Sequence, residues 1–237
     1  MHVSARTDVG QHKQTNEDAV VTAQFGDVSL LVVADGMGGH AAGDVASEEA
    51  TTELEDHVSA AITDGRTDYE AILEEAIESA NERVRERAEA DASRSGMGTT
   101  VVAAIVGDEQ LVIGNVGDSR AYDIADALTQ ITVDHSIVQE LISGGEITPE
   151  EATAHPQRHV LTQALGTEGD VEPDFFTPVV ENYLLLCSDG LTEEVPEEMI
   201  REVINDASGI EAATDELVQK ANENGGSDNI SVILADV

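Results

Sequence analysis

The period of apolar and polar positions changes several times along the chain, and each change marks an element. Residues 28–34 (VSLLVVA) are apolar at almost every position, the pattern of a strand buried on both faces. A short strand over 19–24 leads into it. From 44 to about 58, Ala46, Ala50, Leu54 and Val58 recur at helical spacing. After a polar loop at 63–68, an amphipathic helix is predicted over about 69–92, with Leu73, Ile77, Ala80, Val84 and Ala88 as its stripe. Residues 99–106 and 111–116 return to strand-like runs, and the short loop between them makes the pair antiparallel. Residues 120–124 and 128–132 are expected to continue this pair as a meander. A helix over 136–142 opens on Ser-x-x-Gln, and Thr148-Pro149-Glu150-Glu151 starts another. Residues 152–176 have no regular period and are expected to cover something. A buried strand at 183–188, helices at 196–207 and 211–223, and a last strand at 230–235 complete the chain, with Gly225-Gly226 stopping the second helix. Residues 1–18 are polar and suggest no element. Antiparallel strands with helices inserted in blocks predict an α+β layered fold, with two packed sheets and helices outside.

The length of 237 residues suits one domain, and 41% hydrophobic residues are enough for a sizeable core. The charge changes the picture more. Against 49 acidic residues stand 11 basic ones, a net charge of −38, and the only lysines are Lys13 and Lys220. Such a surface repels itself at ordinary ionic strength, whereas in molar salt the screening length falls to about 3 Å. The acidity therefore reads as adaptation to a salty cytoplasm in a halophile. A dedicated cation-binding protein is the alternative, disfavoured because the charge is spread over the whole chain. Nucleic acid partners are excluded, since affinity for phosphates comes from Lys and Arg, and anionic membrane surfaces are disfavoured for the same reason. No apolar stretch approaches the ~20 residues of a membrane span, and no signal peptide opens the sequence. The single Cys187 cannot form an internal disulfide. A cytoplasmic protein is expected.

Four aspartates stand beside apolar runs, next to glycine or serine. Asp35 follows LLVVA and precedes Gly36; Asp118 follows LVIGNVG; Asp189 follows YLLLCS; Asp228 lies in GGSDNISVILA. The pair Glu17-Asp18 comes just before the first predicted strand. Acidic residues are common here, but most others lie on helix faces. If these carboxylates converge, their mutual repulsion requires a bound cation or a protonated carboxyl. Oxygen-only ligands point to Mg²⁺ or Mn²⁺, with Ca²⁺ as a further candidate, and against zinc. His2, His12, His57, His155 and His159 show no metal-ligand spacing and read as surface or loop residues, while His40 and His135 lie close to acidic motifs. The pattern fits a two-metal hydrolase centre, in which Lys13 is the candidate phosphate clamp.

Taken together and in order, these motifs resemble the PPM family, the type 2C metal-dependent Ser/Thr protein phosphatases, in their bacterial form. DVGQHKQTNEDA at 8–19, VADGMGGHAAGDVAS at 33–47, GMGTT at 96–100 and GNVGDSRAY at 114–122 carry the likeness. It continues in VDHSIVQELISGGEITPEEATAHPQRHVLTQALG at 133–166, LLLCSDGLTEEV at 184–195 and GGSDNISVI at 225–233. The resemblance implies a four-layer α-β-β-α sandwich, one phosphatase domain over 1–237, and a flap near 136–165 beside the substrate groove. It further implies that Asp35 bridges two Mn²⁺ or Mg²⁺ ions, with the Gly36 carbonyl completing one shell. Asp189 and Asp228 would bind the first ion, and Asp118, sharing Asp189, the third ion of bacterial-type members. Glu17 and Asp18 would act mainly through metal-bound waters, with direct attack of a metal-bridging water on the phosphorus and no phosphoenzyme. Phosphorylated proteins are the implied substrates, a Ser/Thr kinase the antagonist, and a monomer the expected state. Two rival readings are a phosphatase dedicated to one anti-sigma-type regulator and an inactive pseudophosphatase. Two departures stand out: Lys13 replaces the usual arginine, which keeps the charge but loses the bidentate fork, and Met37 stands where eukaryotic members carry a proposed acid histidine. Water, His40 or His135 would then protonate the leaving group, with water favoured.

Overall fold

The computed structural model describes every residue except 39–41, 109 and 170. In chain order its strands are β1 (His2–Asp8), β2 (Asp18–Phe25), β3 (Val28–Met37), β4 (Gly98–Thr99), β5 (Val101–Val106) and β6 (Leu111–Val116), then β7 (Arg120–Ile124), β8 (Leu128–Gln130), β9 (Asp174–Phe176), β10 (Tyr183–Cys187) and β11 (Ile230–Asp236). The helices are α1 (Gly43–Thr63), α2 (Tyr69–Ala90), α3 (Ile137–Ser143), α4 (Pro149–Thr153), α5 (Asp189–Thr192), α6 (Glu197–Asp206) and α7 (Ile210–Asn224). One sheet has the order β1-β11-β10-β7-β8 and the other β2-β3-β5-β6-β9, with β4 paired to β3. The described pairings are antiparallel.

Strand β3 shows why the fold has four layers. Leu30, Val32 and Ala34 pack with Leu54, Leu73 and Ile77 of α1 and α2. The alternate residues Leu31 and Val33 pack with Leu184, Leu186 and Ile233 of the other sheet. A strand sandwiched in this way must be apolar on both faces. On the far side Leu185, Val232 and Leu234 meet Ile200, Val203 and Leu217 of α6 and α7. The arrangement is the expected α+β sandwich, with helices over both outer faces. Among the described residues no helix is long and apolar enough to cross a membrane.

The structure corrects several expectations about elements. The stretch 152–176, which shows no regular period, contains a short strand, β9. Residues 2–8 form an edge strand rather than a featureless polar stretch. Strand β3 does not stop before Asp35: it runs on to Met37, where Gly36 and Met37 pair with Thr99 and Gly98. The expected meander is broken, because β5 and β6 belong to one sheet and β7 and β8 to the other. The chain crosses between sheets at Gly117, whose φ of 106° lies in the left-handed region. A Cβ there would also stand 2.5 Å from the Thr100 side chain.

Candidate metal centre

The four aspartates gather at one end of the sandwich because β10 ends and β11 begins there in one sheet, β3 ends there in the other, and the crossover from β6 to β7 joins the two sheets at that end. Asp35 is near the end of β3, and Asp18, the first residue of β2, lies directly opposite it in register. Asp189 directly follows β10, Asp228 comes just before β11, and Asp118 sits in the crossover between β6 and β7.

Backbone contacts fix these positions. The Asp35 N–H donates to Thr100 Oγ1 at 3.0 Å, and its carbonyl accepts from the Thr100 N–H at 2.9 Å and Thr99 Oγ1 at 3.0 Å. The Gly36 N–H donates to the Glu17 carbonyl at 3.0 Å. A Cβ on Gly36 would lie 2.0 Å from the Gly43 carbonyl oxygen, so the start of α1 can approach only a glycine. Asp18 Oδ2 accepts from Ser188 Oγ at 2.8 Å, and that hydroxyl in turn accepts from the Ser231 N–H at 3.0 Å.

The electrostatics of the cluster point to a cation. Burial is the first cause that raises these acids, and the neighbouring carboxylates add to it. Asp18 is pushed up to about 7, with Asp189 and Asp228 contributing, and Asp118 to about 8, with Asp189 and Asp134 contributing. Asp35 is driven well above the carboxylate range by burial and by Asp18, Asp189, Asp118 and Asp228. Asp189 is also raised by burial and by Asp228, although a hydrogen bond with Asp35 opposes the shift. Asp18 Oδ1 and Asp189 Oδ1 are buried and have no hydrogen-bond partner among the described residues. Orphaned carboxylate oxygens facing other carboxylates fit a hard divalent cation, and the all-oxygen donor set suits Mg²⁺ or Mn²⁺.

A cleft of about 790 Å³ opens over this cluster. Lys13, Glu17, Asp35, Gly36, Asp118, Asp189 and Asp228 all line it, whereas Asp18 lies behind them. The predicted site residues are therefore brought together. Lys13 Nζ is 2.5 Å from Asp228 Oδ1; burial alone would lower the lysine pKa, but Asp228, with Asp35 and Glu17, raises it on balance, so Lys13 stays charged. Burial raises Glu17, whose carboxylate also accepts the Gly43 N–H. The opposite wall comes from 159–164, Thr167 and Glu168, and Met37 also faces the cleft.

Several residues of the site were not singled out in the sequence. Asn229 accepts the Glu17 N–H at 2.8 Å and donates to the Val9 and Thr15 carbonyls, each at 3.0 Å. It thereby pins the segment carrying Lys13 and Glu17 against the Asp228 turn; its signal was its place directly after Asp228. His159 is a correction. It lies on the cleft wall, with Nδ1 3.0 Å from Glu193 Oε1. Ligand atoms of His159, Asp189 and Glu193 all fall within 4.8 Å of one another. Spacing along the chain could not show this, because the flap and α5 meet only in the fold. His135 is 8% exposed and is not among the residues that line the cleft. His40 lies outside the described residues.

Residues 9–235 match the protein phosphatase 2C family. The chain is 43% identical to the serine/threonine phosphatase stp of Listeria innocua, over 100% of this chain and 96% of the relative. The crystal structure of serine/threonine phosphatase Stp1 from Staphylococcus aureus superposes with a TM-score of 0.91 at 41% identity, covering 99% of this chain and 94% of that one. The catalytic domain of the serine threonine protein phosphatase PstP, solved with two manganese ions, superposes with a TM-score of 0.86 at 35% identity, covering 99% and 97%. The fold and the carboxylate cleft define a metal-dependent phosphatase. The chain belongs to the protein phosphatase 2C (PPM) family and is a metal-dependent Ser/Thr protein phosphatase of the bacterial type.

Proposed function

We propose that the chain removes phosphate from phosphoserine and phosphothreonine side chains of proteins by direct attack of water. The observation that carries this reading is the convergence of Asp35, Asp189, Asp228 and Lys13 on one cleft. Asp35, Asp189 and Asp228, with the Gly36 carbonyl, would hold two Mn²⁺ or Mg²⁺ ions, and Asp118 with Asp189 a third. Bound there, such ions supply positive charge against the phosphoryl oxygens and lower the pKa of water. Lys13 meets the substrate phosphate from the side of Asp228. Glu17 offers a carboxylate oxygen as an acceptor that orients water in the cleft, and Asp18, behind the lining acids, would act through water bound to the ions they hold. Water protonates the leaving serine or threonine oxygen. Residues 136–165 serve as the flap of a single phosphatase domain, and their end forms the wall across which the substrate segment lies. The protein acts as a monomer in the cytoplasm, against a Ser/Thr kinase.

Turnover of an aryl phosphate and of phosphopeptides in Mn²⁺ tests this reading. Asp35→Asn and Asp189→Asn are expected to abolish hydrolysis, as is a chelator on the unaltered protein. Retained turnover in either variant contradicts the site. A chain inert under all metal conditions would instead be the pseudophosphatase.

A further inference from the structure

His135 is only 8% exposed, and its bonds run to the turn that carries Asp118. Its Nδ1 accepts the Gly117 N–H at 3.2 Å, and the His135 backbone N–H donates to the Gly117 carbonyl at 2.9 Å. A nitrogen that accepts an N–H carries no proton, which places the ring proton on Nε2. Nε2 therefore donates to Asp174 Oδ2, 3.1 Å away in β9. The His135 carbonyl accepts from the Thr162 N–H at 2.9 Å, within the wall of the cleft. On its other side the same turn is held by Thr100, whose hydroxyl meets Ser119 Oγ at 2.7 Å and whose N–H donates to the Asp35 carbonyl.

We propose that His135 is a positioning residue for Asp118: it clamps Gly117 from both backbone atoms, aims the neighbouring carboxylate into the cleft, and ties that aim to the wall at Thr162. The alternative is a buried histidine that merely satisfies its polar atoms. A purely structural histidine needs no link to the site, yet three of these four bonds go to the Asp118 turn or to the cleft wall. Outer partners that orient ligand-bearing groups commonly change metal affinity by about 10- to 100-fold when removed.

The proposal rests on Asp118 as a cation ligand, and the experiment separates the two. Mn²⁺ binding to the whole chain is measured by titration calorimetry, alongside KM and kcat for an aryl phosphate, in Asp118→Asn, His135→Ala, His135→Asn and the Asp118→Asn/His135→Ala double variant. His135→Ala is expected to weaken the same Mn²⁺ step that Asp118→Asn removes, by roughly 10-fold or more. His135→Asn should recover most of it, since its amide oxygen can accept the Gly117 N–H. In the Asp118→Asn background His135→Ala should add nothing. If His135→Ala does not fold, Asp174→Ala replaces it; Asp174 is a half-exposed partner whose loss frees the ring, and a smaller weakening of the same step is expected. A lower melting temperature with unchanged Mn²⁺ binding, or losses that add in full, overturns the positioning role. An Asp118→Asn variant that binds Mn²⁺ normally overturns the reading of Asp118, and this proposal with it.

Discussion

On the resemblance, Lys13 stands where the family usually carries arginine, an exchange that chemistry can weigh. Its ammonium already contacts Asp228 at 2.5 Å, so a substrate phosphate must share a compact charge that is engaged elsewhere. An arginine fork carries five donors and could face carboxylate and phosphate at once. Lys13→Arg is therefore expected to lower KM by about 3- to 10-fold, equivalent to roughly 1 kcal/mol, with little change in kcat. Steady-state kinetics with a phosphopeptide decide it, and an unchanged KM contradicts the phosphate role of Lys13. Asn229 is the counterpart that could not be read locally. One side chain joins residues 9, 15 and 17 to the last strand, and nothing in the period of the sequence announces such a brace.

At the scale of elements, legibility followed burial. Strand β3 was readable because both faces are covered, leaving an unbroken apolar run, and α2 because its stripe is the part that packs. Strand β1 was not readable because it lies at a sheet edge, and its one fully covered side chain is Ser4, bonded to Thr214 at 2.8 Å. Its apolar period is short, Val3 and Ala5 only, and both are partly buried against the inter-sheet core. The crossing from β6 to β7 was hidden for a different reason. Two strands joined by a tight turn look like a hairpin, and only the partners each finds across the chain reveal that they lie in separate sheets. The acids at strand ends were visible as a set. His159 and Glu193 were not, since they meet only when the segment before β9 folds back over α5.

Across the whole molecule, the net charge of −38 is carried by a fold that superposes closely on relatives such as the Staphylococcus aureus phosphatase. Burial of the cores in both helix layers sets the fold. The salt reading rests on the charge alone. Dialysis to about 0.1 M salt or below is expected to cost helical signal in circular dichroism, because the screening length then grows to about 10 Å or more and like charges repel across the surface. An undiminished signal contradicts it.

The joint grip of distant carboxylates on divalent ions is tested most directly by diffraction from crystals grown in Mn²⁺. Anomalous density should show two peaks about 3.5–4 Å apart, both touched by Asp35 and one also by Asp189 and Asp228. Manganese found only elsewhere, with those three side chains touching none, would contradict the metal centre and the hydrolysis built on it.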